Sequence, residues 1–546
     1  MIEESGSFRD PAGAIFYIHD RIFRKINKVG IDRVNFLEKK KILKESIEKN
    51  YLIQTKILND DEKNELNLNV SDFILEHKKI PYISYPYEWS FNQLKTAAIF
   101  HLDFNLFLLD MDATLIDASA FNIQFIGSKP IFIDTLSIVK YINGEPWKGH
   151  KQFCENFLNP LILKSKKGIK FNNWFKGNLE GIETDDLDKL LSIFDKFSYN
   201  IFIHVYLLNK LDQKFKSNKS LKPINKKKFI SKKSLILILK QLKKFIANLE
   251  DHKSISTWDD YSKNNSYSEL EENKKKEVVE RFIKKNNFNL VADLGCNDGE
   301  YSELSLKNGT KNIIGFDFDI NAIDKAYQKA LTKNLNFLPL YFDASNPSGN
   351  IGWNEKERKS FKNRANFDAI LALAFEHHLA IAKNIPLNQV INWLVSLAPT
   401  GLIEFVPKND LTVIKMLELK GDIFPDYTVQ NFENELFAVD TVFGDVSDSV
   451  TPSLAYKLNQ ADTNASTALT NSNTAVSVAT KMVNASLVGL LSDLDTLETD
   501  LASAEATFAA SAAALQTLQE TADAALADAQ AARSAAEAAL AAWGGS

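Results

Sequence analysis

The sequence predicts an α/β protein: a doubly wound parallel sheet, preceded by an α+β region and followed by an Ala-rich heptad helix. Three observations predict it. Between residues 274 and 406, short β-rich apolar runs alternate with helical segments. The first run ends in an acid and a glycine-bearing turn, Asp293-Leu-Gly-Cys-Asn-Asp-Gly299. Past residue 460, apolar residues recur every seven positions. The expected domains are 1–250, 251–460 and 461–546.

Composition bounds the function. The 546 residues leave room for about three or four domains. With 45% hydrophobic and 25% charged residues, the chain has globular proportions rather than disordered ones. No apolar run is long enough to span a bilayer. Met1-Ile2-Glu3-Glu4 lacks the basic and apolar regions of a secretory signal. Two cysteines, Cys154 and Cys296, exclude a disulfide scaffold and a Cys-rich zinc site. The expected location is therefore the cytoplasm. A net charge of -5 argues against broad nucleic-acid binding. The average hides a break: from Gly444 onward, three cations (Lys457, Lys481, Arg533) face twelve acids, while residues 1–443 hold 62 cations and 58 acids. Such a shift marks a module boundary.

In the α+β region, two β-rich runs flank His19-Asp20 and predict a hairpin. Residues 35–60 carry Phe36, Ile42, Leu43 and Ile47 at helical spacing, and Ser90–Leu109 repeats the pattern. From Leu115 to Ile138 the pattern is a loop and then a hairpin. Residues 150–215 read as helical, with Trp174, Phe194 and Phe197 as core candidates. The basic run 214–233 reads as a solvated connector, Ser234–Leu249 as a helix, and 251–272 as a linker able to fold over a neighbouring site.

In the α/β region the strand candidates are Leu290–Leu294, Asn312–Phe318, Asn336–Phe342, Phe367–Ala374 and Gly401–Val406. Val278–Lys285, Asn321–Leu331 and Leu387–Ser396 read as helices around them. Phe437–Phe443 and Ser453–Leu458 are expected to close the sheet as an antiparallel hairpin. In the tail, Leu487, Leu494, Leu501 and Phe508 begin one apolar series and Leu490 and Leu497 another, so a coiled coil or helical hairpin able to drive oligomerisation is expected.

The turn after the first strand carries the chemical argument. Glycines at 295 and 299 let the backbone approach a ligand, and Asn297 tolerates a left-handed conformation. The second strand ends in Asp317, 24 residues after Asp293, where a ribose-binding carboxylate belongs. The third ends in Asp343. Three acids at successive strand ends can accept bonds from an amine, two ribose hydroxyls and an adenine amine. The spacing fits a methyltransferase, a dinucleotide enzyme, or a domain whose acids only cap helices; the fuller G-x-G-x-x-G of dinucleotide enzymes is absent.

Further motifs extend the pattern: Trp258-x-x-Tyr261 and Tyr267, Leu338-Pro-Leu, Asn346-Pro-Ser, Gly352-Trp353, Leu371-Ala-Leu-Ala-Phe-Glu-His377-His378-Leu379, Pro386-Leu387 and Glu404-Phe-Val-Pro407. Upstream stand Phe8-Arg-Asp-Pro-Ala-Gly13 and Ile80-Pro-Tyr-Ile-Ser-Tyr-Pro-Tyr-Glu-Trp-Ser90. Together they resemble the class I S-adenosylmethionine-dependent methyltransferases, which have a Rossmann-like fold. More closely, they resemble a bacterial nodulation-protein-type subgroup, over about residues 1–460. The resemblance implies that Asp293, Gly295 and Gly299 cradle the methionine moiety, Asp317 the ribose and Asp343 the adenine. It implies that Tyr261 and Tyr267 lid the cofactor, and that Glu376, His377 and His378 face the acceptor. His378 is a candidate base because an ordinary imidazole titrates near neutrality.

A second constellation stands upstream. Asp117-Ala-Ser-Ala-Phe-Asn122 has the spacing D-x-x-x-x-N, and Asp134 follows twelve residues later at the end of a predicted hairpin. This resembles the catalytic loop of kinase-like phosphotransferases, with Asp117 as base, Asn122 and Asp134 as Mg²⁺ ligands, and ATP as co-substrate. The pattern departs from that family: Leu115-Ile116 precedes Asp117, Thr-Leu follows Asp134, and Lys25 and Lys95 are the candidates for a phosphate-binding lysine. The readings that stand are methyl transfer to a small-molecule or glycan acceptor, a bifunctional kinase–methyltransferase acting on a glycan, and a non-catalytic assembly protein with a degenerate cofactor site.

Overall fold

The computed structural model describes residues 2–210, 213, 230–252 and 269–443, with 521 and 524 in the tail. The predicted linker with Trp258, Tyr261 and Tyr267, most of the basic run, Ser453–Leu458 and nearly all of the heptad tail lie outside the described residues. Residues 1–445 form one compact unit and 446–546 a second. No helix among the described residues is long and apolar enough to cross a membrane.

The chain opens with β1 (Ile2–Glu3), β2 (Gly13–Ile18), β3 (Arg21–Ile26), β4 (Thr55–Ile57) and β5 (Phe73–His77), an antiparallel sheet of order β1-β2-β3-β5-β4. The predicted hairpin turns at His19, whose φ is 51°. Residues 35–60 prove mixed: helices Lys28–Lys39 and Ile42–Glu48, then β4. The helix Phe91–Asp110 begins at Ser90, whose hydroxyl accepts the Gln93 N–H while the Gln93 side chain accepts the Ser90 N–H. β6 (Ala113–Leu115) pairs with β9 (Ile138–Lys140), and β7 (Ile123–Ile126) with β8 (Lys129–Phe132) as the expected hairpin. Helical residues follow to 210, and then Lys232–Ala247 packs on Phe91–Asp110.

The second sheet is wholly parallel, in the order β12-β11-β10-β13-β14, from β10 (Leu290–Leu294), β11 (Asn312–Asp317), β12 (Phe337–Tyr341), β13 (Ala369–Ala372) and β14 (Gly401–Ile403). All five match the expected runs. Every residue of β10 and β13 is buried, as strands covered on both faces must be. Chain order reverses between β10 and β13, which opens a crevice beyond their carboxyl ends. Pro339 fits β12 because that strand is an edge; its carbonyl accepts the Gln93 side-chain N–H at 2.9 Å, so the Phe91–Asp110 helix covers the edge.

Two expectations fail. Phe437–Phe443 is no strand but the end of a helix, Val429–Phe443. Phe194 and Phe197 lie 85% and 77% exposed, because the short helices bearing them turn their aromatic faces outward; Trp174 is only partly buried.

The main core runs from the parallel sheet through the Phe91–Asp110 helix to the β6–β9 and β7–β8 strand pairs, while the antiparallel sheet packs in small clusters of its own. Tyr82 stacks on Phe367 (5.7 Å between ring centres) and meets Phe316 edge-on, and Phe125 of the β7–β8 hairpin meets Tyr327. At this seam Arg364 is buried against Glu88, with a second contact at 3.0 Å, and its guanidinium lies 4.3 Å from the Tyr85 ring. It also donates to the Ile83 carbonyl at 2.6 Å. Removing one partner of a buried ion pair strands the other charge. Glu88→Ala should therefore destabilise residues 1–443 by about 3–5 kcal/mol, read by urea denaturation, whereas an exposed pair such as Lys44–Glu48 should matter little when cut.

Candidate active site

The Asp293–Gly299 turn leaves the carboxyl end of β10 and enters the helix Glu300–Lys307. Gly295, Asn297 and Gly299 all have positive φ (75°, 49° and 81°). Gly295 and Cys296 both donate to the Phe316 carbonyl, at 2.8 and 3.1 Å, which draws the turn against β11. A Cβ on Gly299 would stand 2.3 Å from the Phe337 ring, so glycine is required there by both backbone and space.

Asp293 and Asp317 meet across this turn. Asp293 is 3% exposed and accepts the Ser302 hydroxyl at 2.6 Å. Asp317 is held by two backbone donors: Asn297 N–H at 2.9 Å to Oδ2 and Asp319 N–H at 2.8 Å to Oδ1. Burial raises both carboxyls to about 6, and for Asp293 the neighbouring charge of Asp317 adds to it. Among the described residues neither forms an ion pair. Asp343 lies just past β12, where Tyr341 pairs with Asp317, and it accepts the Ser345 N–H and hydroxyl at 3.0 and 2.6 Å. The three strand-end acids thus share one edge of the sheet. Sequence reasoning missed Lys275, which pairs with Glu404 at 2.7 Å and lies over the Tyr301 ring. Only its position in a helix packed beside the turn could have marked it.

Past β13, Glu376–Ala380 is a short helix. Glu376 is fully buried; its Oε1 accepts the Val406 N–H and the Tyr427 hydroxyl, both at 2.8 Å, so this acid ties three chain segments together. The His377 and His378 rings lie 4.1 Å apart. His378 departs from the neutrality expected of it: burial, then the neighbouring His377, lowers it to about 3. Cys296 is buried, which pushes its thiol well up.

The upstream constellation is arranged differently. Asp117 accepts the Ser119 N–H at 2.9 Å, and Asn122 caps nothing with its side chain, while its carbonyl accepts the Ile133 N–H. Asp134 is engaged by the chain's own cation: Arg24 of β3 donates to it at 2.7 Å and also pairs with Asp10. Burial opposes ionisation of Asp134, yet the Arg24 charge and the Ser137 hydroxyl outweigh it and hold the carboxyl below its usual range. Lys25 pairs with Asp72, and Lys95 donates to the Leu249 carbonyl.

Nodulation protein NoeA of Rhizobium meliloti (strain 1021) is 42% identical over 436 residues, which are 79% of this chain and 90% of that protein. The chain belongs to the NoeA family. The nodulation-protein resemblance read from the motifs is thereby borne out. No protein-family model matches the chain. Among solved structures, the methyltransferase domain of bacterial CtHen1-C is 17% identical and covers 31% of this chain and 83% of its own, with a TM-score of 0.23. The N-methyltransferase NodS of Bradyrhizobium japonicum WM9, in complex with S-adenosylhomocysteine, is 15% identical over 26% of this chain and 62% of its own (TM-score 0.19). PH0226 of Pyrococcus horikoshii OT3 is 22% identical over 27% and 64% (TM-score 0.20).

In this NoeA-family chain, Gly299→Ala should cost on the order of 1–3 kcal/mol from a strained left-handed backbone and a clash with Phe337. A fall in the thermal midpoint without loss of secondary structure before unfolding checks it.

Proposed function

We propose that the chain is an S-adenosylmethionine-dependent methyltransferase acting on a small-molecule or glycan acceptor. The observation that carries it is the pair Asp293 and Asp317, unpaired by any described cation and fixed around a turn with positive φ at Gly295, Asn297 and Gly299. The residues fit the cofactor. Asp317, oriented by backbone N–H groups at both oxygens, accepts from the ribose hydroxyls. Asp293 offers a carboxylate to the amino acid end, and Asp343 accepts from the adenine amine. When bound, S-adenosylmethionine supplies an electrophilic methyl, which passes in line to the acceptor while the sulfur keeps the electron pair.

The chain's part in that step is placement more than chemistry. Glu376 fixes the start of the helix bearing His377 and His378 through Val406 and Tyr427. His378, neutral at physiological pH, takes the acceptor proton as the new bond forms, when that proton becomes strongly acidic. Residues 1–250 recognise the acceptor. A phosphotransferase role for them is disfavoured because Arg24 already neutralises Asp134, the residue that would hold Mg²⁺.

Asp317→Ala should weaken S-adenosylmethionine binding by about 100-fold, the loss of two charge-assisted hydrogen bonds. Calorimetric titration reads it, and unchanged affinity would remove the cofactor assignment. The pH dependence has a defined sign. Asp293 and Asp317 titrate at about 6 in the folded chain against 3.8 ordinarily, so the unliganded protein loses stability as pH rises through that window. Cofactor binding needs the carboxylates and should strengthen over the same rise, levelling above about 7. Affinity that is flat across this range in the wild-type protein would contradict it.

A further inference from the structure

Away from the carboxylate cleft, His150, Cys154 and His204 bring two imidazoles and a thiol together. The His150 Nε2 lies 2.9 Å from the His204 Nδ1, and the Cys154 Sγ lies 3.8 Å from the His150 Nε2. All three donor atoms fall within 4.8 Å of one another. His150 and Cys154 are four apart on one helical face, so one turn presents both.

A second observation is independent of those distances. The described residues contain two π-helical turns, Cys154–Leu158 and Phe202–Leu207. The first begins with Cys154 and the second contains His204. Such turns are rare, cost helical hydrogen bonding, and occur mostly at functional sites. Here each re-aims one donor toward His150.

We propose that His150, Cys154 and His204 bind one borderline-soft divalent metal ion of the zinc class. Bond lengths of about 2.0–2.1 Å to nitrogen and about 2.3 Å to sulfur make tetrahedral edges of about 3.3–3.4 Å between nitrogens and about 3.6 Å between nitrogen and sulfur, within about half an ångström of the 2.9 and 3.8 Å separations here. The imidazole pair opens by a few tenths of an ångström as the ion replaces the hydrogen bond between the rings, and the ring that donated it changes tautomer, its proton moving to its other nitrogen. The Cys154 S–H bond is exchanged for a sulfur–metal bond and its proton passes to solvent, with no change in oxidation state. One thiolate leaves a single positive charge on the site, and Glu155, whose charge is felt at the Cys154 sulfur, offsets it. Three protein donors leave the fourth position to water or to a group brought by another molecule. On the other face of the same helix, the Gln152 side chain accepts the Ala118 N–H at 2.8 Å and that of Asn156 accepts the Ala120 N–H at 3.0 Å. An ion fastened at His150 and Cys154 therefore also steadies the 117–122 loop.

The test uses the full-length chain, stripped of metal by a chelator and titrated with Co²⁺ as the spectroscopic probe. One equivalent should bind, with a thiolate-to-cobalt charge-transfer band that Zn²⁺ abolishes by displacement. Cys154→Ser should lose the band, and His204→Gln should shift it and lose most of the affinity. The chain has only two thiols, so a band retained in Cys296→Ser assigns it to Cys154 even if Cys154→Ser fails to fold. No band in the wild-type chain, or a band that survives Cys154→Ser, overturns the site.

Discussion

The Arg364–Glu88 pair is the constraint on which the arrangement of residues 1–443 depends. A guanidinium this deeply buried is tolerable only when its charge is met, and here its Nη1 and Nη2 groups meet Glu88 and the Ile83 carbonyl beside the faces of Tyr82 and Tyr85. Those partners all belong to the 80–90 segment, whereas Arg364 precedes β13 of the parallel sheet. The pair therefore sets which side of the sheet the upstream part covers. Asp324, which accepts from the Ser90 hydroxyl and the Asn92 backbone at 2.6 and 3.1 Å, repeats the constraint at the other end of the segment. With β12 covered by the Phe91–Asp110 helix, the carboxyl edge of the sheet is left for chemistry.

At that edge the fold holds two buried acids close together against their electrostatic preference. Burial raises both carboxyls first; the charge of Asp317 adds to the rise at Asp293, and that of Asp319 to the rise at Asp317. Backbone donors from Asn297 and Asp319 orient Asp317 without neutralising it.

Much of this was legible in the sequence because it is local. Period and punctuation gave all five parallel strands, and apolar spacing over Ser90–Leu109 gave the long helix. The Asp293–Gly299 turn was legible because positive φ restricts residue choice. What failed was set by distant partners. Phe437–Phe443 has strand-like composition, yet it continues the helix that carries Phe432 into the core. Phe194 and Phe197 have core-like composition and face outward. Arg24 and Asp134 are 110 residues apart, and His150 and His204 are 54 apart, so no window on the chain reveals either meeting. The His378 shift likewise comes from burial that only the folded chain supplies.

The two acid constellations, alike in sequence as strand-end carboxylates, part on one physical point. A carboxylate can serve a ligand only if the protein has not already satisfied it. Asp134 is satisfied: Arg24, which it shares with Asp10, the Ser137 hydroxyl and the Leu136 N–H take its oxygens. Asp293 and Asp317 hold only neutral donors and remain in electrostatic debt to each other. A hydroxyl or cation approaching from solvent gains little at the first and more at the second, because only the second still lacks a charged partner within the described residues.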